Sequence, residues 1–275
     1  MEDALSLLQS IKKLDPHFMK SEILLLLGDR LASSIYRDFK GAQQLYKEAK
    51  QANEHNVECY VKIGYTYDKL RDYENAIHYY KTALKKDKKE FKALVRLGLV
   101  LVRNNEREKG LKYLNQAYSL NQENVELLVK LGEINMKGDT ELEQAEEFLK
   151  KALSIDPNIA DAHLALGKLY EKQNKVEEAI EEFGTCLKLP KPNLSAHFNL
   201  ALMYEKKKMI KEAIFHFKQC LSLDQSHFGA SIHLATLLAN LGDMVKAQKY
   251  FKHCLRLNPG SVAANFGLAK ILHQT

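Results

Sequence analysis

The chain has 275 residues, 45% of them apolar and 28% charged, with a formal net charge of +6, five prolines and thirteen glycines. No apolar run approaches the roughly 18 residues of a membrane span, and the start MEDALSLLQ lacks the basic flank of a secretory signal, so an intracellular protein is expected. No Pro-, Gly- or Ser-rich linker or low-complexity tail divides the chain, which argues for a single body across 1–275.

The predicted elements are helices in pairs, and the pairs recur about every 34 residues along the chain. Residues 1–18 read as a lone second helix, with Ala4, Leu8, Ile11 and Pro16 at positions twenty, twenty-four, twenty-seven and thirty-two of that period. A first full unit, 19–56, carries Leu27-Gly28, Leu31, Ala42, Tyr46 and Ala49; it is longer than the others, which predicts an extended first helix running through Ser33-Ser34. The units 57–90 (Ile63-Gly64, Tyr67, Ala76, Tyr80, Ala83) and 91–124 (Leu97-Gly98, Leu101, Gly110, Leu114, Ala117) are regular. Unit 125–159 has Leu131-Gly132, Ala145, Leu149, Ala152 and Pro157, with one extra residue in the turn around Gly138-Asp139. Units 160–193 and 194–227 show Leu166-Gly167, Tyr170, Ala179, Phe183, Cys186 and Leu200-Ala201, Tyr204, Ala213, Phe217, Cys220. In the seventh unit, 228–261, Gly242-Asp243 breaks one helix from the next and Asn258-Pro259 ends the second, because proline has no N–H to continue a helix. Small residues such as Ala235 and Ala247 sit where the two helices are expected to cross. Residues 262–275 read as a lone first helix with Leu268-Ala269, leaving Phe266, Ile271 and Leu272 as an apolar patch open to self-association.

The set Leu234-Ala235, Leu238, Ala247, Phe251, Cys254 and Pro259 resembles the tetratricopeptide repeat (TPR), and it recurs in register through seven units. The resemblance implies an all-α fold, a right-handed α-α superhelix (TPR solenoid) of seven helix-turn-helix repeats with a half repeat at each end. Its core lies between neighbouring repeats. Trp, which the family favours at position four, is absent; Tyr60, Leu94, Leu128, His163, His197 and Ser231 stand there, which predicts looser packing in the later repeats.

Little in the sequence supports catalysis, and none is expected. Cys186, Cys220 and Cys254 are one period apart at the small-residue position twenty-seven, so they read as buried thiols rather than ligands or disulfide partners. His163 and His197 share that period and read as structural or solvent-facing. The chain has no HExxH, paired CxxC, Gly-rich phosphate loop or GxSxG motif, and neither cofactor, metal nor small-molecule substrate is expected.

The resemblance turns positions two, five, six, nine and twelve of each first helix into a partner-binding groove. Lys62, Lys92, Arg96 and Lys130 place cations along its amino-terminal half; Asp161, Glu171 and Glu205 make its middle acidic; Phe198 and Ile232 give an apolar track towards the carboxy end. Lys92 and Arg96 match one repeat of the carboxylate clamp of chaperone-binding TPR proteins, while Leu25, Asp29 and Lys62 depart from it. Only Asn199 matches the asparagine ladder that resembles O-GlcNAc transferase. The implied function is a protein-protein interaction scaffold that holds a partner segment, with acidic residues of the partner against the cations. The alternatives are an architectural subunit clasping a folded neighbour in a ciliary or cell-cycle assembly, and RNA binding. The groove lacks regularly placed stacking aromatics, which argues against RNA. Cytoplasmic placement is expected, with ciliary or nuclear placement as alternatives.

Overall fold

The computed structural model describes residues 21–138 and 141–274, with the side chain of Gln274 left aside; the half repeat expected at 1–18 and Asp139 of the expected turn lie outside the described residues. All regular structure among the described residues is helical, in agreement with the expected fold class. The helices are α1 (Ser21–Ala32), α2 (Phe39–Ala52), α3 (Val57–Lys69), α4 (Tyr73–Lys86), α5 (Phe91–Arg103), α6 (Arg107–Leu120), α7 (Val125–Asn135), α8 (Leu142–Ile155), α9 (Ala160–Lys172), α10 (Val176–Lys188), α11 (Leu194–Lys206), α12 (Ile210–Leu223), α13 (Phe228–Asn240), α14 (Met244–Leu257) and α15 (Val262–Gln274). They form two compact units whose boundary falls inside α7, at Leu127 and Leu128.

In the first unit the hairpins α1–α2, α3–α4 and α5–α6 stack in series. Several of these helices begin with a side chain that accepts a backbone N–H: Asp38 caps α2, Asn56 caps α3 and Asp72 caps α4. The core alternates small and large residues, with Ala42, Tyr46 and Ala49 of one hairpin continued by Ala76, Tyr80 and Ala83 of the next, all at most 1% exposed. Close backbone contact is clearest between α5 and α6. A Cβ on Gly98 would stand 2.9 Å from the carbonyl oxygen of Gly110, and one on Gly110 would stand 2.6 Å from the carbonyl oxygen of Gly98.

The expected extension of the first helix is corrected here. α1 ends at Ala32, and the extra residues form a turn in which Arg37 is left-handed (φ 51°) and the N–H of Asp38 bonds the carbonyl of Leu31. Ser33-Ser34 favour turns over helix interiors because their hydroxyls compete for backbone partners.

In the second unit α9 to α15 stack in the same manner. The core is continued by Ala179, Phe183, Cys186, then Ala213, Phe217, Cys220, then Ala247, Phe251, Cys254, each at most 3% exposed. Ala235 and Ala247, expected at a helix crossing, are both fully buried. In α15, Phe266 and Leu272 are exposed, but Ile271 is only 3% exposed and joins the core, so it is removed from the expected apolar patch.

The hairpin turns share one device across both units. The fifteenth residue of five repeats is left-handed, namely Arg71, Asn105, Asn174, Lys208 and Gly242, with φ between 59° and 83°. The next residue's N–H returns to the helix, as in Asp72 to Tyr67, Glu106 to Leu101 and Asp243 to Leu238. This closes the carbonyls left open at a helix end.

Candidate partner-binding face

Three of the residues expected in the groove come together in the first unit. Lys62, Lys92 and Arg96 line one cavity of about 480 Å³ with Asp29, Ser33, Tyr46, Glu58, Tyr65 and Glu90. α3 and α5 supply the cations, and position six of each faces the preceding hairpin. Lys62 accordingly lies over the Tyr46 ring, 5.8 Å from its centre.

The three cations differ in what holds them. Lys62 donates to both oxygens of Asp29 at 2.6 and 2.5 Å and lies 3.3 Å from Glu58; its side chain is 19% exposed. Tyr46 donates to the same Asp29 at 2.7 Å, and burial first, then that carboxylate, raises its pKa well above the usual phenol value. Lys62 is therefore an internal counter-ion. Arg96 instead spreads its guanidinium on the Tyr65 ring, 4.3 Å from the centre, with Lys69 at 5.3 Å from that ring. Among the described residues neither Arg96 nor exposed Lys92 has a carboxylate partner, and the buried hydroxyl of Ser33 finds no hydrogen bond. The cavity thus presents two free cations beside an aromatic platform, in a rim that also carries Glu58 and Glu90.

The pairing of Lys62 with Asp29 joins residues from successive repeats and was missed by reading one position at a time. Glu58, four residues before Lys62, was readable as a helical ion pair. Tyr65 was also readable, since it occupies position nine, one of the groove positions.

The remaining expected residues lie in the second unit. Lys130 pairs with Glu133 at 2.8 Å, and Asp161 is exposed. Burial raises the pKa of half-buried Glu171, while Lys206 and Lys168 act against the shift. Glu205 is bonded to His233 at 2.8 Å. Asn199 and Ile232 are half-buried. Phe198 is packed rather than open: its ring centre lies 4.7 Å from that of His227, 5.9 Å from Phe217 and 6.2 Å from His233. Glu205 and Phe198 are therefore used in joining repeats, while Lys130 pairs within its own helix.

The histidines and thiols follow the same logic. His163 lies between the Glu182 carboxylate at 2.6 Å and the carbonyl of Pro157 at 2.9 Å. His197 and His216 meet through their Nδ1 atoms at 3.0 Å; burial lowers both pKa values, that of His216 to about 4 with help from His197. All four cysteines are free and buried, and burial pushes the Cys220 thiol up to about 12 and Cys254 to about 11. Among the described residues there is no cluster of three or more metal-ligating side chains.

Comparison with known proteins agrees with this architecture. Family models described as tetratricopeptide repeats match residues 57–89 and 229–261, 95–160, 137–188 and 195–227. No curated protein matches the chain in sequence. Among solved structures, a chain of the APC/C hetero-tetramer Cut9-Hcn1 aligns with a TM-score of 0.72 at 18% identity over 98% of this chain, which spans about half (52%) of that chain. PilF of Pseudomonas aeruginosa aligns with a TM-score of 0.68 at 19% identity, over 80% of this chain and 97% of its own. YrrB, a TPR protein with an unusual peptide-binding site, aligns with a TM-score of 0.52 at 19% identity, over 67% of this chain and 95% of its own. Identities this low speak for the fold alone. With the repeated hairpins, the recurrent small and aromatic core positions and these matches together, the chain belongs to the tetratricopeptide repeat family.

Proposed function

We propose that this protein, whose fold is that of generally non-enzymatic interaction scaffolds, binds a partner protein segment through the face of its first unit that carries Lys92 and Arg96. The observation that carries the reading is the pair of cations left free in a formed cavity while Lys62, one repeat earlier, is neutralised by Asp29. A carboxylate of the partner reaching Arg96 gains a forked hydrogen bond beside Tyr65, and Lys92 adds attraction at the rim. Glu58 and Glu90 at the same rim favour a segment of mixed charge over a uniformly acidic one. We further propose an intracellular setting, which four unbridged thiols fit because reducing compartments keep cysteines free.

A displayed peptide library screened on the parent protein tests the site. The retained peptides should share an acidic residue, and Arg96→Glu should weaken them about tenfold or more, the scale of a reversed charge contact. Retention of the same peptides at parent affinity by a folded Arg96→Glu variant would remove this face from consideration.

A further inference from the structure

A second cavity, of about 410 Å³, opens in the first unit away from Lys92 and Arg96, among Leu84, Lys88, Lys89, Leu94, Tyr113 and Leu120. Its origin lies in one repeat position. In the preceding repeat that position is Tyr60, which is 8% exposed and donates its hydroxyl to the carbonyl of Glu54 at 3.2 Å; Lys86 and Lys50 lie over its ring, 5.0 and 5.8 Å from its centre. Advancing Tyr60, Glu54, Lys50 and Lys86 by one 34-residue period gives Leu94, Lys88, Leu84 and Leu120, which are residues lining the cavity. By repeat register the cavity therefore lies where the Tyr60 phenol lies in the preceding repeat, with Leu94, 2% exposed, at its floor.

The hydrogen bond from this position to the carbonyl six residues earlier is recurrent. His163 bonds the carbonyl of Pro157 at 2.9 Å and Asn265 that of Pro259 at 3.2 Å. Leu94 has no donor, and among the described residues none reaches the carbonyl of Lys88. The two cations that flank Tyr60 are replaced by Leu84 and Leu120, so the walls are more apolar than in the filled repeat. Leu120 is 43% exposed, although it is a large aliphatic side chain.

We infer that this cavity is a second docking site, which receives a tyrosine side chain of a partner protein in the position that Tyr60 fills from within the chain. The phenol ring lies between Leu84, Leu94 and Leu120, and its hydroxyl donates to the carbonyl of Lys88. Lys88 and Lys89, both exposed and without a carboxylate partner among the described residues, favour an acidic residue beside that tyrosine. Neither Lys92 nor Arg96 takes part, so this site stands or falls separately from the first.

The probe is p-cresol, the tyrosine side chain as a free molecule, titrated into the whole protein with methyl-labelled leucines observed by NMR. The methyl signals of Leu84, Leu94 and Leu120 should shift saturably, with a dissociation constant on the order of millimolar for so small a ligand. Toluene, which has no donor, should bind about fivefold more weakly, the value of one hydrogen bond. Leu94→Tyr, which restores the residue type of the preceding repeat, should abolish the shifts while leaving peptide binding at Arg96 intact. Leu120→Lys alters an exposed position, so it provides the same test should Leu94→Tyr disturb the hairpin. An absence of shifts in the parent protein, equal affinity for toluene, or undiminished p-cresol binding by a folded variant would overturn the inference.

Discussion

The two compact units join successive repeats with chemistry that is only partly shared. In the first, fixed charges and tyrosines bridge one repeat to the next: Asp29 to Lys62, Tyr65 to Arg96, and buried Asp68 to Arg103 at 2.9 Å. In the second, aromatic stacking and histidine add to fixed charge: Phe217 stacks on His233 at 5.3 Å between ring centres, His233 in turn bonds Glu205, and Lys207 pairs with Glu177 at 2.7 Å. Within its hairpins that unit also places His163 on Glu182 and His197 on His216. A shared backbone register therefore sets which positions meet across a repeat boundary, while leaving open what the contact is made of. One consequence is that the second unit carries the His197–His216 pair, whose pKa values burial lowers and which therefore makes that unit sensitive to acid.

The largest expected effect breaks the second unit's way of joining repeats. Phe217→Ala removes a fully buried ring that also supports His233, and should cost roughly 3–5 kcal/mol in denaturant unfolding. A cost below about 1 kcal/mol would mean that this ring is not central to the stack.

The next effect sharpens the contrast in pH response. Folding holds His197 and His216 with lowered pKa values, His216 at about 4 against an ordinary 6.5. The unfolded chain therefore binds protons that the native pair refuses, so this stability is complete above about pH 6.5 and lost as pH falls towards about 4. Carboxylates held below their ordinary 4.5, such as Glu146 beside Lys150, lose their contribution only at lower pH. Hydrogen exchange at pH 7 and pH 5 should show α11 and α12 losing protection while α3 and α4 keep theirs, and His216→Asn should remove the difference. Equal loss in both units would contradict the assignment.

The smallest effect tests the first unit. Asp29→Asn leaves Lys62 without its full counter-charge, but the carboxylate is 45% exposed, so the loss should be about 1 kcal/mol or less and shrink in salt. Peptide capture at Arg96 should strengthen slightly in the same variant, because Lys62 becomes available to a partner's carboxylate. Unchanged stability and unchanged capture would show that the Asp29–Lys62 pair is incidental.

The fold was legible because its information is periodic. Two small residues flanking one large aromatic or leucine per helix pair, recurring in register, announce a hairpin whose core is completed by its neighbours. The first-repeat turn was misread because length alone does not say whether extra residues extend a helix or interrupt it; Ser33-Ser34 and a left-handed Arg37 decide for interruption. The candidate site was legible by position but not by state. Lys62 and Arg96 look alike at position six, and what separates them is the residue met across the boundary, Asp29 for one and Tyr65 for the other. The cavity beside Leu94 was half visible as the missing aromatic at position four, but looser packing was expected for later repeats, where His163 and Ser231 are in fact buried and bonded.

The fully buried thiols of Cys186, Cys220 and Cys254, one to a repeat, give the second unit a built-in set of clocks. In a stack whose members are stabilised only by their neighbours, opening proceeds as a front from an end rather than as a single event, with each hairpin a separate cooperative step. With a thiol reagent that outpaces reclosing, the rate at which each sulfur reacts is then the opening rate of its own hairpin. Three natural residues thereby divide one unfolding process into a sequence of events ordered along the chain.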